Sequence, residues 1–475
     1  MTLIDVLPDD VLLDIFDLCV YKAWDADYDY PLRDPPRKKK IESWQTLVHV
    51  CRRWRGVVFG SPRRLDLQLV CTPKTRVEET LDIWPALPLV IMGTVPLISR
   101  SAKIVAALER SDRVKKIELN AHNATLSFET ALAAMQKPFP ELTVLALKLY
   151  WDTATVLPDS FLGGSAPCLR RLQLQGIPFP GLPKLLLSAT HLVNLKLWNI
   201  PHSGYISPEA MVAVLATLTS LELFKLQFES PRSRPRRTRR SPPPTRSVLP
   251  VLGTFSFQGA REYLDDFVAC IDAPRLSGLY ITFFHQFVYD TPHFAQFVRR
   301  LPSMEAPKEA HFFFENAAAG VYLSTHFALL AVKILCDVVD LQFLALETVC
   351  TSCLPPLSKV EDLYIYEIRH RPLDWQDDIE DTQWLRLLHP FTAVKNLSLA
   401  KEIAPYIMPF LQELVGGRTT ETLPTLQNIS LEPSEIDEEG IETLFATRKL
   451  FSHPITVALW ERELILDDID FDDWL

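Results

Sequence analysis

Three short stretches carry residue types that could do chemistry. Cys350 and Cys353, in TSCLPP, have the C-x-x-C spacing of a redox or metal pair. A structural zinc site needs four ligands, and no second pair follows at a workable distance; His370 and His389 lie too far apart to supply it. Arg232 to Arg246 (RSRPRRTRRSPPPTR) holds seven arginines and four prolines, a polybasic run without the interleaved aromatics on which bases stack. LVHVCRRWRGVVF, Leu47 to Phe59, sets Arg52, Arg53, Trp54 and Arg55 beside Cys51, and reads as a nucleic-acid helix, a reactive thiol or a docking helix. GxxxxGK[ST], HExxH and GxSxG motifs are all missing, so no phosphate loop, zinc helix or nucleophile turn is expected. Acidic pairs such as Asp377-Asp378 and Glu438-Glu439 suit solvated turns or helix starts better than catalytic carboxylates. The expectation is a chain that is not an enzyme, with no catalytic residues, metal or cofactor.

Composition sets the frame for these stretches. With 48% hydrophobic and 23% charged residues, a chain of 475 residues can bury a large core, which excludes disorder as the main state. A net charge of -10 argues against nucleic acid as the partner of the whole chain, since phosphate affinity comes from clustered Lys and Arg. No apolar run reaches membrane-spanning length, and MTLIDVLPDDVLLDIF carries acids where a signal peptide needs basic residues. Eight scattered cysteines form no disulfide framework. A cytoplasmic or nuclear protein is expected.

One pattern recurs from Val114 onward: apolar, two others, apolar, one other, apolar. It reads VKKIEL at Val114, LTVLAL at Leu142, LRRLQL at Leu169, LVNLKL at Leu192, LELFKL at Leu221, LGTFSF at Leu252 and LSGLYI at Leu276. It returns as LQFLAL at Leu341, VEDLYI at Val360, VKNLSL at Val394 and LQNISL at Leu426. The first seven starts lie 23 to 31 residues apart, near the period of leucine-rich repeats. A degenerate copy, HFFFE around Phe312 and Phe314, fits the long gap before Leu341 and brings the working total to about twelve. Between copies, SRSAKIVAALERSD, SPEAMVAVLATL, REYLDDFVACI and THFALLAVKILCDVV show helical spacing. Strand and helix in alternation call for an α/β solenoid of parallel strands with outer helices.

Side chains alternate along a strand, so every second template position lines the sheet's open, concave face. Arg171, Trp198, Tyr280, Phe313, Phe343, Tyr364 and Tyr366 fall there and form a candidate target-binding surface, Trp, Tyr and Arg being common interface anchors. They equally suit packing on one another or beneath the C-terminal segment. Arg171, Lys196 and Lys225 could line a site for an acidic target.

The residues before the repeats form their own module. In LPDDVLLDIFDLCV, Pro8 suits a first helical turn, Asp9 and Asp10 complement the helix dipole, and Val11, Leu12, Ile15 and Phe16 form an apolar stripe. In the later segment Leu47, Val50, Cys51, Trp54, Val57 and Val58 recur at spacings of three and four, as on one face of a single helix, leaving the arginines on its wet side. LPDDVLLDIF followed by WQTLVHVCRRWRGVVFGSPRRLDL resembles an F-box, with an inserted loop over 21–42. Leu7-Pro8, Ile15-Phe16, Val50-Cys51 and Arg53-Trp54 match the family's characteristic positions in order. The resemblance implies docking on the Skp-type adaptor of a cullin-RING (SCF) ubiquitin ligase. Leu7, Pro8, Val11, Leu12, Ile15, Phe16, Leu47, Val50, Cys51, Trp54 and Val58 would then make the adaptor contacts or support them. An F-box followed by leucine-rich repeats implies a substrate receptor for an unknown protein target.

The expected organisation is an F-box over 1–70, a linker and capping segment over 71–113, and repeats over 114–460 interrupted by a disordered Arg/Pro loop at 230–247. An acidic-apolar tail follows over 461–475, with seven acids in fifteen residues, read as a cap on the last repeat or a binding peptide. Two other readings stay open: a scaffold that binds the adaptor without serving degradation, and an RNA-associated nuclear repeat protein working through the Arg-rich loop.

Overall fold

The computed structural model describes residues 7–19, 43–95, 101–122, 126–150, 155–235, 245–285, 291–305, 307–325, 328–368, 381–413, 422–432 and 456–459. It is a mixed α/β structure built on mostly parallel sheet and divides into two compact units, Met1–Arg171 and Leu172–Leu475. The inserted loop at 21–42, the centre of the Arg/Pro loop at 236–244 and the tail at 461–475 lie outside the described residues. Both ends of the Arg/Pro loop are tied to neighbouring structure. Ser233 is buried with its hydroxyl 3.4 Å from His202 Nδ1, and Arg246 Nε donates to the Ala269 carbonyl at 3.3 Å.

The first unit opens with three helices, α1 (Asp9–Cys19), α2 (Ser43–Val50) and α3 (Arg52–Gly60). The single helix expected through Leu47 to Phe59 is in fact two. Cys51 is extended (φ -157, ψ 170), and its Sγ accepts a hydrogen bond from Trp54 N at 3.4 Å. Cys51 therefore caps α3, satisfying one of the amides that a helix start leaves without a partner. The break lets α3 pack on α1, with Phe16 and Trp54 rings 4.8 Å apart.

Next come β1 (Leu69–Cys71), α4 (Val77–Ile83), β2 (Leu89–Thr94), α5 (Ser101–Leu108), β3 (Val114–Ala121), α6 (Leu126–Ala134) and β4 (Val144–Leu149). The four strands pair in parallel in that order. The stretch 71–113, expected as a linker and cap, thus carries α4, the sheet strand β2 and α5, following directly on β1. LPLVIMGT lacks the L-x-x-L-x-L template because four consecutive residues, Leu89 to Met92, are buried, as when both faces of a strand are covered. Trp44, at the start of α2, donates from Nε1 to the Gln68 carbonyl at 3.1 Å and packs edge-on against Trp84 at 5.1 Å.

Among the described residues of the second unit, twelve strands form one sheet. Those outside its central meander are β5 (Arg171–Gln175), β6 (Asn194–Ile200), β7 (Leu223–Phe228), β9 (Thr254–Gly259), β11 (Gly278–Phe284), β15 (Asp362–Glu367), β16 (Asn396–Leu399), β17 (Asn428–Leu431) and β18 (Thr456–Leu459). β8 (Ser247–Val248) and β10 (Ile271–Asp272) pair separately. The helices are α7 (Leu182–Leu186), α8 (Pro208–Leu215), α9 (Arg261–Ala269), α10 (Pro292–Arg299), α11 (Val339–Ser352), α12 (Asp381–Leu388) and α13 (Ala404–Glu413). The second and last apolar template positions face these helices: Phe224 and Phe255 meet Phe267 of α9, and Phe257 stacks on Tyr263. Asp265 of α9 caps the next helix, its carboxylate accepting from His293 N and Phe294 N at 2.9 Å each.

The long gap between Leu276 and Val360 holds a meander: β12 (Glu309–Glu315), β13 (Ala318–Ser324) and β14 (Leu329–Leu335). β13 is antiparallel to both neighbours, β14 lies beside β11 and β12 beside β15, so the spatial order is β11-β14-β13-β12-β15. HFFFE is a strand, as expected. Two expectations are reversed. THFALLAVKILCDVV, expected as a helix, supplies β14, and LQFLAL, expected as a strand, lies in α11. The burial explains both: Leu330 to Ile334 are buried on both faces, whereas Gln342, Phe343, Ala345, Leu346, Val349 and Cys350 follow the helical period and Leu344 points outward.

Candidate docking surfaces

On the N-terminal helices, two adjacent stripes of α1 have opposite fates. Leu12 and Phe16 turn inward onto α3 and are buried, as are Leu47 and Val58. Val11 (37% exposed), Ile15 (39%) and Leu18 (88%) follow at i, i+4 and i+7 along the outer side. Val50 is 59% exposed, Pro8 and Cys51 are exposed, and Leu7 and Trp54 are half-buried. The eleven residues singled out from the sequence therefore divide into an outward set and a supporting set. Leu18 was missed, although its place three residues after Ile15 continues the stripe. Four of the seven large apolar side chains that stand exposed among the described residues of this unit lie on α1 and α2, a concentration beyond scattered surface apolars.

The arginines are latches as much as a solvated side. Arg53 reaches from α3 to the start of α1, pairing with Asp9 at 2.7 Å and donating to the Leu7 carbonyl. Arg55 Nε donates to the Val48 carbonyl at the end of α2 at 3.0 Å, and Arg64 pairs with Asp14. These bonds hold the outward stripe in a fixed frame.

In the second unit, the face of the sheet opposite the helices is two-toned. At its first end it is polar: Lys196, Lys225 and Ser256 stand in register across β6, β7 and β9. The Lys225 ammonium lies 4.1 Å from the Trp198 ring centroid and that of Lys196 5.9 Å, so Trp198 does lie beside cationic side chains on this face. Gln227 is buried, and its Nε2 has no hydrogen-bond partner among the described residues. Arg171 is half-buried at the first position of β5.

Towards the meander the face becomes aromatic. Tyr280, Ala331, Tyr322, His311 and Tyr364 are in register across β11, β14, β13, β12 and β15. The His311 ring is clamped between Tyr322 (4.0 Å, 13°) and Tyr364 (4.3 Å, 12°), with Tyr366 edge-on at 6.1 Å. Burial pushes the His311 pKa down to about 3, leaving a neutral ring whose Nδ1 is buried and has no hydrogen-bond partner among the described residues. Phe313 and Tyr366 are fully buried in the same cluster. Phe313 lies across Gly320, where an added Cβ would come 2.2 Å from its Cζ, so only glycine fits. A shallow depression of about 340 Å³ adjoins Tyr280, lined also by Thr254, Gly278, Ser324 and Leu329.

Of the seven expected open-face residues, Phe343 is misplaced. It lies on α11 on the helix side, 5.1 Å from Phe314 and 4.7 Å from Trp384. The sequence missed His311 and Tyr322, because Tyr322 stands on an antiparallel strand outside the repeat; the alternation in HFFFE was the available signal for His311. Beyond β15 the face returns to polar, and Asn428 donates to Asn396 (2.7 Å), which donates to Asp362 (2.5 Å), a ladder from the third template position of three consecutive copies.

Cys350 and Cys353 are both buried, with Thr291 Oγ1 3.0 Å from Cys353 Sγ, and burial drives the Cys350 pKa well up, which disfavours the thiolate that metal binding needs. Among the described residues no group of three or more His, Cys, Asp or Glu side chains could hold a metal, and no helix is long and apolar enough to cross a membrane. No family model matches the chain, and no curated protein matches it.

Proposed function

We propose that this chain is the substrate-recognition subunit of an SCF-type cullin-RING ubiquitin ligase, binding a Skp-type adaptor through an N-terminal F-box and a protein target through a leucine-rich-repeat solenoid. The observation that carries the reading is the outward stripe of Val11, Ile15 and Leu18, with Val50, on helices whose other faces are already packed. A module of some 60 residues has a marginal core, and an apolar patch left outside it suits a partner of the same character. Resemblance of the flanking Leu7-Pro8 and Arg53-Trp54 to F-box positions names that partner. The alternation of strands and helices supports the solenoid, and the two-toned face supplies a surface for a target. The chain contributes no acid or base; it raises the local concentration of target lysines near a ubiquitin-transferring enzyme, in the cytoplasm or nucleus.

Co-expression with a Skp-type adaptor is expected to yield a stable complex. Val11→Glu with Ile15→Glu, both exposed, is expected to weaken it by 100-fold or more while leaving the denaturation midpoint unchanged. A folded wild-type chain that captures no such adaptor would overturn the reading.

A further inference from the structure

On the open face of the second unit, two carboxylates stand side by side with no cation between them. Glu309 of β12 and Asp362 of β15 are in register on neighbouring parallel strands, which lie about 4.8 Å apart. Ser324 donates to Glu309 at 2.7 Å, and Asn396 donates to Asp362 at 2.5 Å. Neither carboxylate has a cationic partner among the described residues. Their neighbours do. Glu361 pairs with Lys395 at 3.1 Å, and Glu315, on the same strand and face as Glu309, pairs with Lys333 at 2.9 Å. Like charges opposite one another on a sheet repel, so a cation brought to this pair removes a repulsion as well as gaining an attraction.

Two residues further along each strand, about 6.8 Å away, the same face carries His311 and Tyr364, again in register. Burial keeps the His311 ring neutral, so it does not repel an incoming charge. Glu309 is exposed, and Asp362, His311 and Tyr364 are half-buried. An arginine side chain matches both parts of this surface. Its methylene stem covers apolar surface over a comparable length, and its planar guanidinium forks across two carboxylates, where a lysine ammonium is a single point charge. The carboxylate row continues through Ser324 to Leu329, Gly278 and Thr254, which line the shallow depression beside Tyr280, so a segment crossing the strands finds a recess at one end. We propose that Glu309 and Asp362 receive an arginine side chain of the protein target, its stem lying along His311 and Tyr364. This part of the face thus selects a positive charge beside an apolar body, not an acidic or phosphorylated segment. That specificity rests on the reading of the second unit as a target receptor, and not on adaptor docking.

The test passes pools of short peptides, random except for a central arginine, citrulline, lysine or glutamate, over the immobilised full chain. Citrulline keeps the shape of arginine and lacks its charge. The arginine pool is expected to be retained about tenfold or more over the citrulline pool, with lysine between them, and the difference to shrink in high salt. Glu309→Gln with Asp362→Asn is expected to abolish the difference. Both replacements keep an acceptor oxygen for Ser324 and Asn396, and loss of the repulsion is expected to leave the denaturation midpoint unchanged or raised. Equal retention of arginine and citrulline, a preference for glutamate, or retention of no pool would overturn the proposal. So would an arginine preference that survives in the variant, since the chain's overall negative charge would then be what attracts the peptide. Should the double variant fail to fold, Glu309→Gln alone, at an exposed position, is expected to cut the arginine preference about threefold or more, and an unchanged preference would refute the assignment. Adaptor capture is measured on the same samples, so a failure here with capture retained leaves adaptor docking standing.

Discussion

The run β6-β7-β9 and the meander β12-β13-β14 belong to one sheet but solve its open face differently. In the parallel run each strand is followed by its own helix or loop, one face is apolar against the helices, and the other carries Lys196, Lys225 and Ser256. In the meander no helix separates the strands, and the open face is filled with His311, Phe313 and Tyr322. His311 stacks on a tyrosine of each neighbouring strand, Tyr322 across the antiparallel pair at 4.0 Å and Tyr364 across the parallel pair at 4.3 Å. The meander is therefore a packed aromatic patch, whereas the parallel run sets two lysines against the Trp198 ring.

The largest separation of the two regions is expected from Gly320→Ala. The added Cβ meets the Phe313 ring and, at 2.8 Å, the Val332 carbonyl, one of them backbone that cannot yield. A loss of about 3 kcal/mol or more in chemical denaturation is expected, partly recovered by Phe313→Ala in the same chain. A midpoint unchanged by Gly320→Ala would mean that Phe313 does not lie across that strand.

The next effect is a pH dependence confined to the meander. His311 titrates near 3 in the folded chain, below its ordinary 6.5, so between these values the unfolded chain binds more protons and stability falls as pH falls. Above 6.5 the contribution is constant. At pH 5.5 the cost is about 1.4 kcal/mol, and His311→Phe, which keeps a ring between the two tyrosines, is expected to remove that part of the acid sensitivity. Matching pH profiles for wild type and variant would place the imidazole in water instead.

Smaller still is Asp265→Ala in the regular region, where two amides at the start of α10 lose their acceptor, at about 1 kcal/mol by thermal or chemical denaturation. Lys196→Ala is expected to cost about 0.5 kcal/mol or less, since this half-buried side chain holds its ammonium 5.9 Å from the Trp198 ring. A cost as large as that of Gly320→Ala would erase the contrast between the regions.

The helix at Asp9 was legible because its signals are local: Pro8 and two acids at its start, then apolar residues at helical spacing. So were VKKIEL, LVNLKL and VEDLYI, where alternate burial writes itself into alternate residue types. Of the N-terminal candidates, Leu12 and Phe16 were legible as apolar but not as inward, and Val11 and Ile15 not as outward, because one stripe of α1 serves both α3 and the exterior. The division of LVHVCRRWRGVVF at Cys51 was hidden, since a spacing of three and four survives a helix break.

By itself, then, the sequence determined the periods: which segments alternate, which follow the helical repeat, and where acids and arginines cluster. Only the tertiary structure decided that LQFLAL is helix and ALLAVKIL strand, that β12 to β14 run back through the sheet in reversed order, and that His311 is clamped between Tyr322 and Tyr364. The physical reason is that L-x-x-L-x-L satisfies both the strand and the helical period over so short a run, and the choice falls to long-range burial. Leu330 to Ile334 are covered on both faces by partners distant in sequence, and no local pattern records them.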